Sequence, residues 1–168
     1  IDRATLDAML DSAQSFFPQF RRYLLAKARA LNIEKLAWYD LSAPLGEFKQ
    51  TWSFDHAEAF IVEQFASFSS DLAALAQRAF NERWIDAEPR DGKRGGAFCM
   101  WVQKDESRIL SNFQPAYGGV STLAHELGHA YHNFNRADRT YIQRQTPMTL
   151  AETASTFNQV IVREAQNV

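Results

Sequence analysis

Apolar residues recur three and four positions apart over most of the chain, which is the spacing of one face of an α-helix. The first third predicts two helices, one over residues 2–16 and one in which Pro18 takes a first-turn position. The second helix is predicted to pack its apolar face in a core, and its basic cluster is interpreted as a solvated face. The apolar face holds Phe20, Tyr23, Leu24, Ala28 and Leu31, and the basic cluster holds Arg21, Arg22, Lys27 and Arg29.

Two further helices are predicted after residues 33–45, where the periodicity breaks and the chain is typical of an extended connection. The first begins near Ser53 or Asp55. His56 falls in its first turn, where added positive charge is disfavoured, so a helix-start or solvated role is expected rather than metal ligation. The second helix follows Ser69, and its apolar spacing predicts core packing.

Two short apolar segments predict a β-hairpin, residues 97–103 and 108–113, joined by a turn at residues 104–107. The first strand is entered through Gly95 and Gly96. Glycines let another backbone approach closely, so a peptide could add to the edge of this strand. The alternative is a hairpin packed on both faces, in which the glycines serve only the turn.

A later helix carries three polar side chains in an otherwise apolar pattern. His125, Glu126 and His129 have the His-Glu-x-x-His spacing of zinc hydrolases. Positions four apart lie on one helix face, about 6 Å apart along the axis, so His125 and His129 can point at a single ion. Glu126 projects to the side of that pair, where its carboxylate can take a proton from a water at the metal.

The start of this helix is marked by Gly118 and Gly119, and Ser121 or Thr122 is the predicted cap. Apolar residues at helical spacing indicate that the helix packs against a core. A polar trio on such a helix needs a partner, which favours a metal site over a chance occurrence of the motif.

A lone acid in the next apolar segment is the best candidate for a third ligand. Catalytic zinc usually takes three protein ligands and leaves a fourth position for water. Glu152 lies 27 positions beyond His125, far enough for a loop and a second helix to return its carboxylate to the ion. The alternative is a helix-start Glu that interacts with the helix dipole, because Pro147 and Thr149 both resemble start signals, and both interpretations can hold together.

The segment from His125 to His132, together with residues 151–156, resembles the oligoendopeptidase F family, relatives of thimet oligopeptidase. Residues 36–41, 80–86 and 92–98 resemble successive upstream blocks of that family in order, so the resemblance covers most of the chain. It implies a mainly α fold of the zincin type, a metallopeptidase catalytic domain with a small antiparallel β-hairpin beside the active-site helix.

The resemblance also implies the reaction and its residues. His125, His129 and Glu152 would hold one zinc ion per chain. Glu126 would act as general base in the hydrolysis of short peptides, without a covalent acyl-enzyme. The family's matching Gly-Ala segment lines the cleft, which makes Gly95, Gly96, Ala97 and Phe98 the predicted substrate-binding residues.

Three further side chains lie near these motifs. His132 shares the helical face of the ligands but lies about 4.5 Å beyond His129 along the axis, so a supporting or surface role is expected. Cys99 has a thiol that can bind zinc, yet a lone cysteine in an apolar strand is usually a small buried hydrophobe. Ser155, three positions after Glu152, is a candidate to support that carboxylate.

Members of the resembled family are several times longer and place further His and Tyr residues downstream of the third ligand. The chain opens on Ile1 rather than Met and stops at Val168. We therefore expect residues 1–168 to be a single piece of a metallopeptidase catalytic domain that lacks the N- and C-terminal parts of the full enzyme, and these residues alone do not carry every catalytic group that the resemblance implies.

Composition narrows the class of protein and its partners. A chain that is 46% hydrophobic can bury one sizeable core, and no apolar run is long enough to cross a bilayer. A net charge of −2 with interspersed signs gives no basic stripe, so neither nucleic acid nor a membrane is an expected partner. The single Cys99 excludes an internal disulfide and, with no signal segment, predicts a cytoplasmic location.

A function of a different class is the alternative: a non-catalytic helical module that binds peptides or holds structural zinc. Structural zinc sites are usually closed by four ligands and rich in cysteine. This chain offers three ligands and an unused base, which favours the zinc metallopeptidase. The sequence makes no prediction of oligomeric state.

Overall fold

The computed structural model describes residues 2–46 and 51–166. The chain divides into two compact units, Ile1–Lys49 and Gln50–Val168. No helix in the described ranges is both long enough and apolar enough to cross a membrane. The α-helices are α1 (Arg3–Ser15), α2 (Phe17–Ala30), α3 (Phe54–Phe68), α4 (Ser70–Asn81), α5 (Tyr117–Asn135) and α6 (Thr153–Gln166); the strands are β1 (Ile85–Asp86), β2 (Phe98–Gln103) and β3 (Glu106–Leu110); short 3₁₀ helices span Trp38–Ser42, Ile142–Arg144 and Met148–Leu150.

The first unit holds α1 and α2, whose predicted starts are confirmed. The Asp2 carboxylate caps α1 by accepting a hydrogen bond from the Thr5 backbone N–H at 2.7 Å. The second helix has Pro18 in its first turn, where the missing N–H would have no partner within the helix. A side-chain cap therefore marks the start of α1, whereas α2 has no side-chain cap and its start is marked by proline.

Lys27 and the segment around Leu41 depart from the sequence prediction. The sequence assigns Lys27 to a solvated face, but its side chain is buried and its Nζ donates to the Leu41 carbonyl at 2.7 Å. Residues Trp38–Ser42 form a 3₁₀ helix instead of an extended connection. The Leu41 carbonyl gives the buried ammonium the acceptor that it needs away from water.

The apolar face of α2 is only partly buried, so the predicted core packing is wrong for its aromatic residues. Ala28 is buried, whereas Phe20 and Tyr23 are each 57% exposed. Large apolar side chains are also exposed on α1, at Met9 and Leu10. A pair of helices can cover only part of each other's surface, which leaves these side chains open.

The second unit has a buried core formed by α3 to α6 and the sheet. Ser53 caps α3 by accepting from the His56 N–H, and Ser69 caps α4 by accepting from the Leu72 N–H. These caps confirm both predicted starts and place His56 in a first turn. The largest fully buried apolar side chains are Phe65, Ile61, Leu72, Ile109, Leu123, Leu127, Val120 and Val162.

The sheet has the order β1-β3-β2, and its two longer strands form the predicted antiparallel hairpin. The turn is shorter than the predicted 104–107. Strand pairing runs from Phe98 with Leu110 to Gln103 with Glu106, so residues 104–105 alone join the two strands. Strand β1 adds a parallel pairing that its two residues are too few to predict. Within the described residues, β2 is an edge strand with largely exposed side chains, so the hairpin is not packed on both faces.

The helix that carries the His-Glu-x-x-His motif, α5, packs on β2, β3 and α6. It begins at Tyr117, and its N-cap residue Ala116 makes no side-chain capping bond. The predicted cap at Ser121 or Thr122 is therefore wrong, because both residues lie inside the helix. The Thr122 hydroxyl instead donates to the Gly118 carbonyl one turn earlier, at 2.9 Å.

Candidate metal centre

Gly128 lets α5 and α6 approach closely at the level of the two sequence motifs. A Cβ atom on this residue would lie 2.7 Å from the Ala154 carbonyl oxygen and 2.7 Å from the Ser155 Cα. Both contacts are with backbone atoms, which cannot rotate away as a flexible side chain can. Glycine at this position therefore allows the start of α6 to lie against the middle of α5.

Three side chains converge where these helices meet. The Glu152 Oε2 lies 3.1 Å from the His125 Nε2 and 3.4 Å from the His129 Nε2. One ligand atom from each of the three residues lies within 4.8 Å of the others. Two imidazole nitrogens and a carboxylate oxygen form a donor set of the kind found at catalytic zinc. The structure thus brings together the three residues that the sequence assigned to one ion.

The orientation of the His125 ring is held by a residue of α6. The His125 Nδ1 lies 3.0 Å from the Gln159 Oε1, and the Gln159 Nε2 donates to the Ser121 hydroxyl at 3.1 Å. An amide oxygen accepts a hydrogen bond, so Nδ1 is the donor in this contact. Nε2 is the ring nitrogen that is left to face Glu152, which is the arrangement that a metal ligand requires.

The Glu152 carboxylate is fixed by Ser155, as the sequence suggested. The Ser155 hydroxyl is fully buried and lies 2.7 Å from Oε2. This hydrogen bond, followed by the neighbouring His129 and His125 rings, lowers the pKa of Glu152 below its ordinary value. Glu152 also accepts the Thr156 N–H with its own carbonyl, so it stands at the start of α6. Glu152 therefore stands at a helix start and also faces the two imidazoles, so the two sequence interpretations of this residue are compatible.

The other imidazole of the cluster is held in its neutral form. Burial lowers the pKa of His129 below its ordinary value, and this effect exceeds the opposing attraction of Glu152. A neutral ring offers the lone pair that metal coordination needs. The cluster thus combines a histidine whose neutral form is favoured with a glutamate whose ionised form is favoured.

Glu126 lies next to the cluster but is enclosed by the protein. Its side chain is only 5% exposed, and its buried Oε2 has no hydrogen-bond partner among the described residues. Burial is the main cause of a pKa raised above the ordinary value for a carboxyl group, and the Glu152 charge adds to it. A carboxylate whose proton affinity is raised in this way is suited to act as a base.

The cluster opens into a pocket of about 370 Å³ between α5, the start of β2 and the loop before α6. Of the predicted substrate-binding residues, Ala97 and Phe98 line this pocket. Gly96 lines a neighbouring pocket of about 470 Å³ that shares Ala97. Gly95 lines neither of these two pockets, so two of the four predicted residues lie at the pocket of the cluster and a third lies at the neighbouring one.

His132 and Cys99 line the same pocket without joining the three-residue cluster. Burial, with the positive charge of Arg136, lowers the pKa of His132. The Cys99 Sγ lies 3.9 Å from the Asn133 Nδ2. Both side chains thus lie beside the cluster, and that of Cys99 is half-buried.

The thiol of Cys99 is expected to resist alkylation in the folded protein. Burial raises its pKa to about 12, so at about pH 8 roughly one molecule in ten thousand carries the reactive thiolate. Iodoacetamide should modify Cys99 readily in urea and hardly at all under native conditions, as measured by mass spectrometry of the peptide that contains it. Rapid native labelling would contradict the raised pKa of this half-buried thiol.

Gln159 is the residue of this site that sequence reasoning missed. It lies seven positions after Glu152, and two helical turns place both residues on one face of α6. That spacing was the available signal. The acceptor role could not follow from it, because it depends on the distance between α5 and α6 that Gly128 permits.

The fold and this site define a mainly helical protein with a zinc-type donor set on two packed helices. The model of peptidase family M3 matches residues 1–168. The chain belongs to peptidase family M3. It is 31% identical to an oligoendopeptidase F homolog from Lactococcus lactis, over 94% of this chain and 26% of that protein.

Solved structures show the same fold. A candidate peptidase from Chlamydophila abortus matches with a TM-score of 0.75 and 26% identity, over 99% of this chain and 28% of that one. A candidate oligoendopeptidase F from Bacillus anthracis has a TM-score of 0.77 at 20% identity, over 89% and 28% of the two chains. The chain therefore spans about a quarter of the length of the relatives that it matches.

Proposed function

We propose that this chain forms the metal-binding part of a zinc-dependent oligoendopeptidase that hydrolyses short peptides. The observation that supports it most is the convergence of His125, His129 and Glu152 to within 4.8 Å across two helices. Family membership supports the same reaction class. In this proposal residues 1–168 are one piece of the catalytic domain, and the cytoplasmic location expected from the composition stays a prediction.

His125, His129 and Glu152 would hold one zinc ion per chain. Their chemistry fits zinc, because two imidazole nitrogens and one carboxylate leave a further coordination position open. When bound, zinc supplies Lewis-acid chemistry that polarises a peptide carbonyl and acidifies water. Gln159 and Ser155 hold the imidazole of His125 and the carboxylate of Glu152 in place for this role.

Glu126 would act as the general base. Its carboxylate is enclosed beside the cluster, where it can accept a proton from the attacking water and pass it to the leaving amine. Its raised pKa makes it a stronger base than an exposed glutamate and a competent acid in the second step. No covalent intermediate is needed.

The edge of β2 would bind the substrate backbone. Ala97 and Phe98 line the pocket of the cluster, and an extended peptide can pair with an open strand edge. Gly96, with a φ of 82°, adopts a backbone conformation that other residues rarely tolerate, and this turn leads the chain into β2. In this proposal Gly95 acts only through the turn.

Hydrolysis of short quenched peptides by the intact protein that contains this chain tests the proposal. Activity should disappear with a chelator and return when zinc is restored. If the protein binds such peptides in the presence of zinc but never cleaves them, the alternative function is supported, a non-catalytic module that binds peptides or holds zinc.

Replacing His129 with Ala should reduce the zinc content of the purified protein to a small fraction of one ion per chain, because a site with three protein ligands loses one of them. The matched control is His132→Ala, which removes an imidazole from the same helix face and the same pocket. Metal analysis should find zinc retained in this control. Equal zinc content in both variants would count against His129 as a ligand.

A further inference from the structure

The segment that leads the chain from the end of α5 back to Glu152 has little apolar packing of its own. We call residues 138–150 the return segment. As far as the structure describes the second unit, none of these residues belongs to its buried core. The large apolar side chains of the segment are all exposed, namely Tyr141, Ile142, Met148 and Leu150. Apolar burial therefore does not explain how the third candidate ligand is brought back to the first two.

Arg136, at the C-terminal end of α5, holds the return segment by hydrogen bonds. Its Nη1 donates to the Arg144 carbonyl and to the Thr146 hydroxyl. Within the return segment these two residues alone are not exposed. The Asn133 side-chain oxygen accepts from Nη2 at 2.6 Å, which fixes the guanidinium on the helix. The guanidinium thus joins the helix of both imidazoles to the segment that leads to the third ligand.

Two polar contacts with the β-hairpin also reach the return segment, and both are open to solvent. Asp138 lies 3.8 Å from the Lys104 Nζ in an exposed ion pair. The Arg144 guanidinium lies 4.9 Å from the ring centre of Trp101, which is exposed. Exposed ion pairs contribute little to stability, whereas hydrogen bonds shielded from water are stronger. Of these polar contacts, those of Arg136 are therefore expected to hold the segment most firmly.

The surroundings of Arg136 show that the guanidinium serves the protein's own fold. Both Nη1 hydrogens and one Nη2 hydrogen are used within the chain, and the buried Nε has no acceptor among the described residues. Burial lowers the pKa of Arg136, which reflects the cost of keeping a charge away from water. Hydrogen bonds to the return segment offset part of that cost. A guanidinium suits this task because its N–H groups point in fixed directions toward several acceptors.

We propose that Arg136 is a positioning residue of the metal centre, which holds the return segment so that Glu152 faces the two imidazoles. The inference rests on the proposed function and adds to it a residue outside the set of ligands. Without these hydrogen bonds the return segment gains conformational freedom, and that freedom must be lost again when Glu152 joins the ion. Zinc should then bind more weakly although every ligand is still present.

The first test is the zinc affinity of Arg136→Gln in the intact protein, measured by competition with a chromophoric chelator. The affinity should fall by about tenfold to a hundredfold, the range seen when a group that orients a ligand is lost. The matched control is Arg139→Gln, because Arg139 is exposed and its side chain donates no hydrogen bond to any described residue. The control should bind zinc as the parent does. Equal affinities of the two variants would overturn the proposal.

Thr146→Val tests the same contact from the other side and nearly preserves the shape of the side chain. It removes the hydroxyl that accepts from Arg136, so zinc affinity should fall by about twofold to tenfold, the value of one hydrogen bond. Because both substitutions break one contact, Thr146→Val should cause little further loss in the Arg136→Gln background. Losses that add in full would show that Arg136 acts by another route and would contradict the proposal. An unchanged affinity of Thr146→Val would contradict it even if Arg136→Gln does not fold.

Limited proteolysis of the zinc-free protein keeps this inference separate from the proposed function. Chymotrypsin should cut after the exposed Tyr141 about tenfold faster in Arg136→Gln than in the parent or in Arg139→Gln, because the segment opens more often. If the parent binds zinc, the affinities decide, and unchanged affinities mean that the positioning role fails alone. If the parent binds no zinc, the proposed function fails and the cleavage rates decide: faster cutting of Arg136→Gln supports the hold on the return segment, and equal rates overturn it.

Discussion

Glu126→Gln is expected to lower kcat/KM for peptide hydrolysis by about a hundredfold to ten-thousandfold, the range that a positioned general base contributes. The amide has nearly the shape of the carboxylate but cannot accept the proton of the attacking water. Because Glu126 is not one of the three clustered ligands, the variant should keep its zinc. Steady-state kinetics and metal analysis of the same preparation measure both effects.

The control for this substitution is Glu63→Gln, which makes the same chemical change at an exposed position of α3. It should change neither rate nor zinc content. Near-normal hydrolysis by Glu126→Gln would show that another group is the base. A loss of zinc together with activity would show that Glu126 supports the metal site rather than proton transfer.

Gly128→Ala is expected to damage the site without altering any of its polar groups. The added Cβ would lie 2.7 Å from two backbone atoms of α6, so the helices must separate. Overpacking of this kind costs about 1–3 kcal/mol of unfolding free energy. Since the same movement carries Glu152 away from both imidazoles, zinc affinity should fall at least about tenfold, as it does when the groups that orient a ligand are lost.

Gly118→Ala is the matched control on the same helix, because its Cβ would meet no atom within 4 Å. Alanine favours a helix over glycine by about 1 kcal/mol, so this variant should be as stable as the parent or slightly more stable. Urea unfolding and zinc titration of the two variants separate helix propensity from close packing. Equal behaviour of both variants would contradict the role given to Gly128.

The sequence predicts which three residues come together, because the information for that prediction is local. The spacing of His125 and His129 needs only helix geometry, and Glu152 follows from the number of ligands that zinc takes. The link from Gln159 to His125 depends instead on how closely two helices pack. Gly128 determines how closely the two helices pack, but a single glycine does not change the periodic pattern of apolar residues from which helix packing is predicted.

The departures in the fold have a similar cause. Lys27 lies on a basic helix face, so its burial follows only from the Leu41 carbonyl that a later 3₁₀ turn brings to it. Strand β1 has two residues and exists through its parallel pairing with β3. Helix α5 starts at Tyr117 without a side-chain cap, whereas the sequence predicted one at Ser121 or Thr122. The first two features depend on contacts between segments that periodicity does not describe, and the third start carries no side-chain signal.

An anomalous-difference map at the zinc absorption edge, from crystals of the intact protein, tests the central claim most directly. It should show one peak per chain, within bonding distance of the Nε2 atoms of His125 and His129 and of a Glu152 carboxylate oxygen. A peak elsewhere, or an ion held by the imidazoles while Glu152 points away, would contradict the metal centre on which the proposed reaction depends.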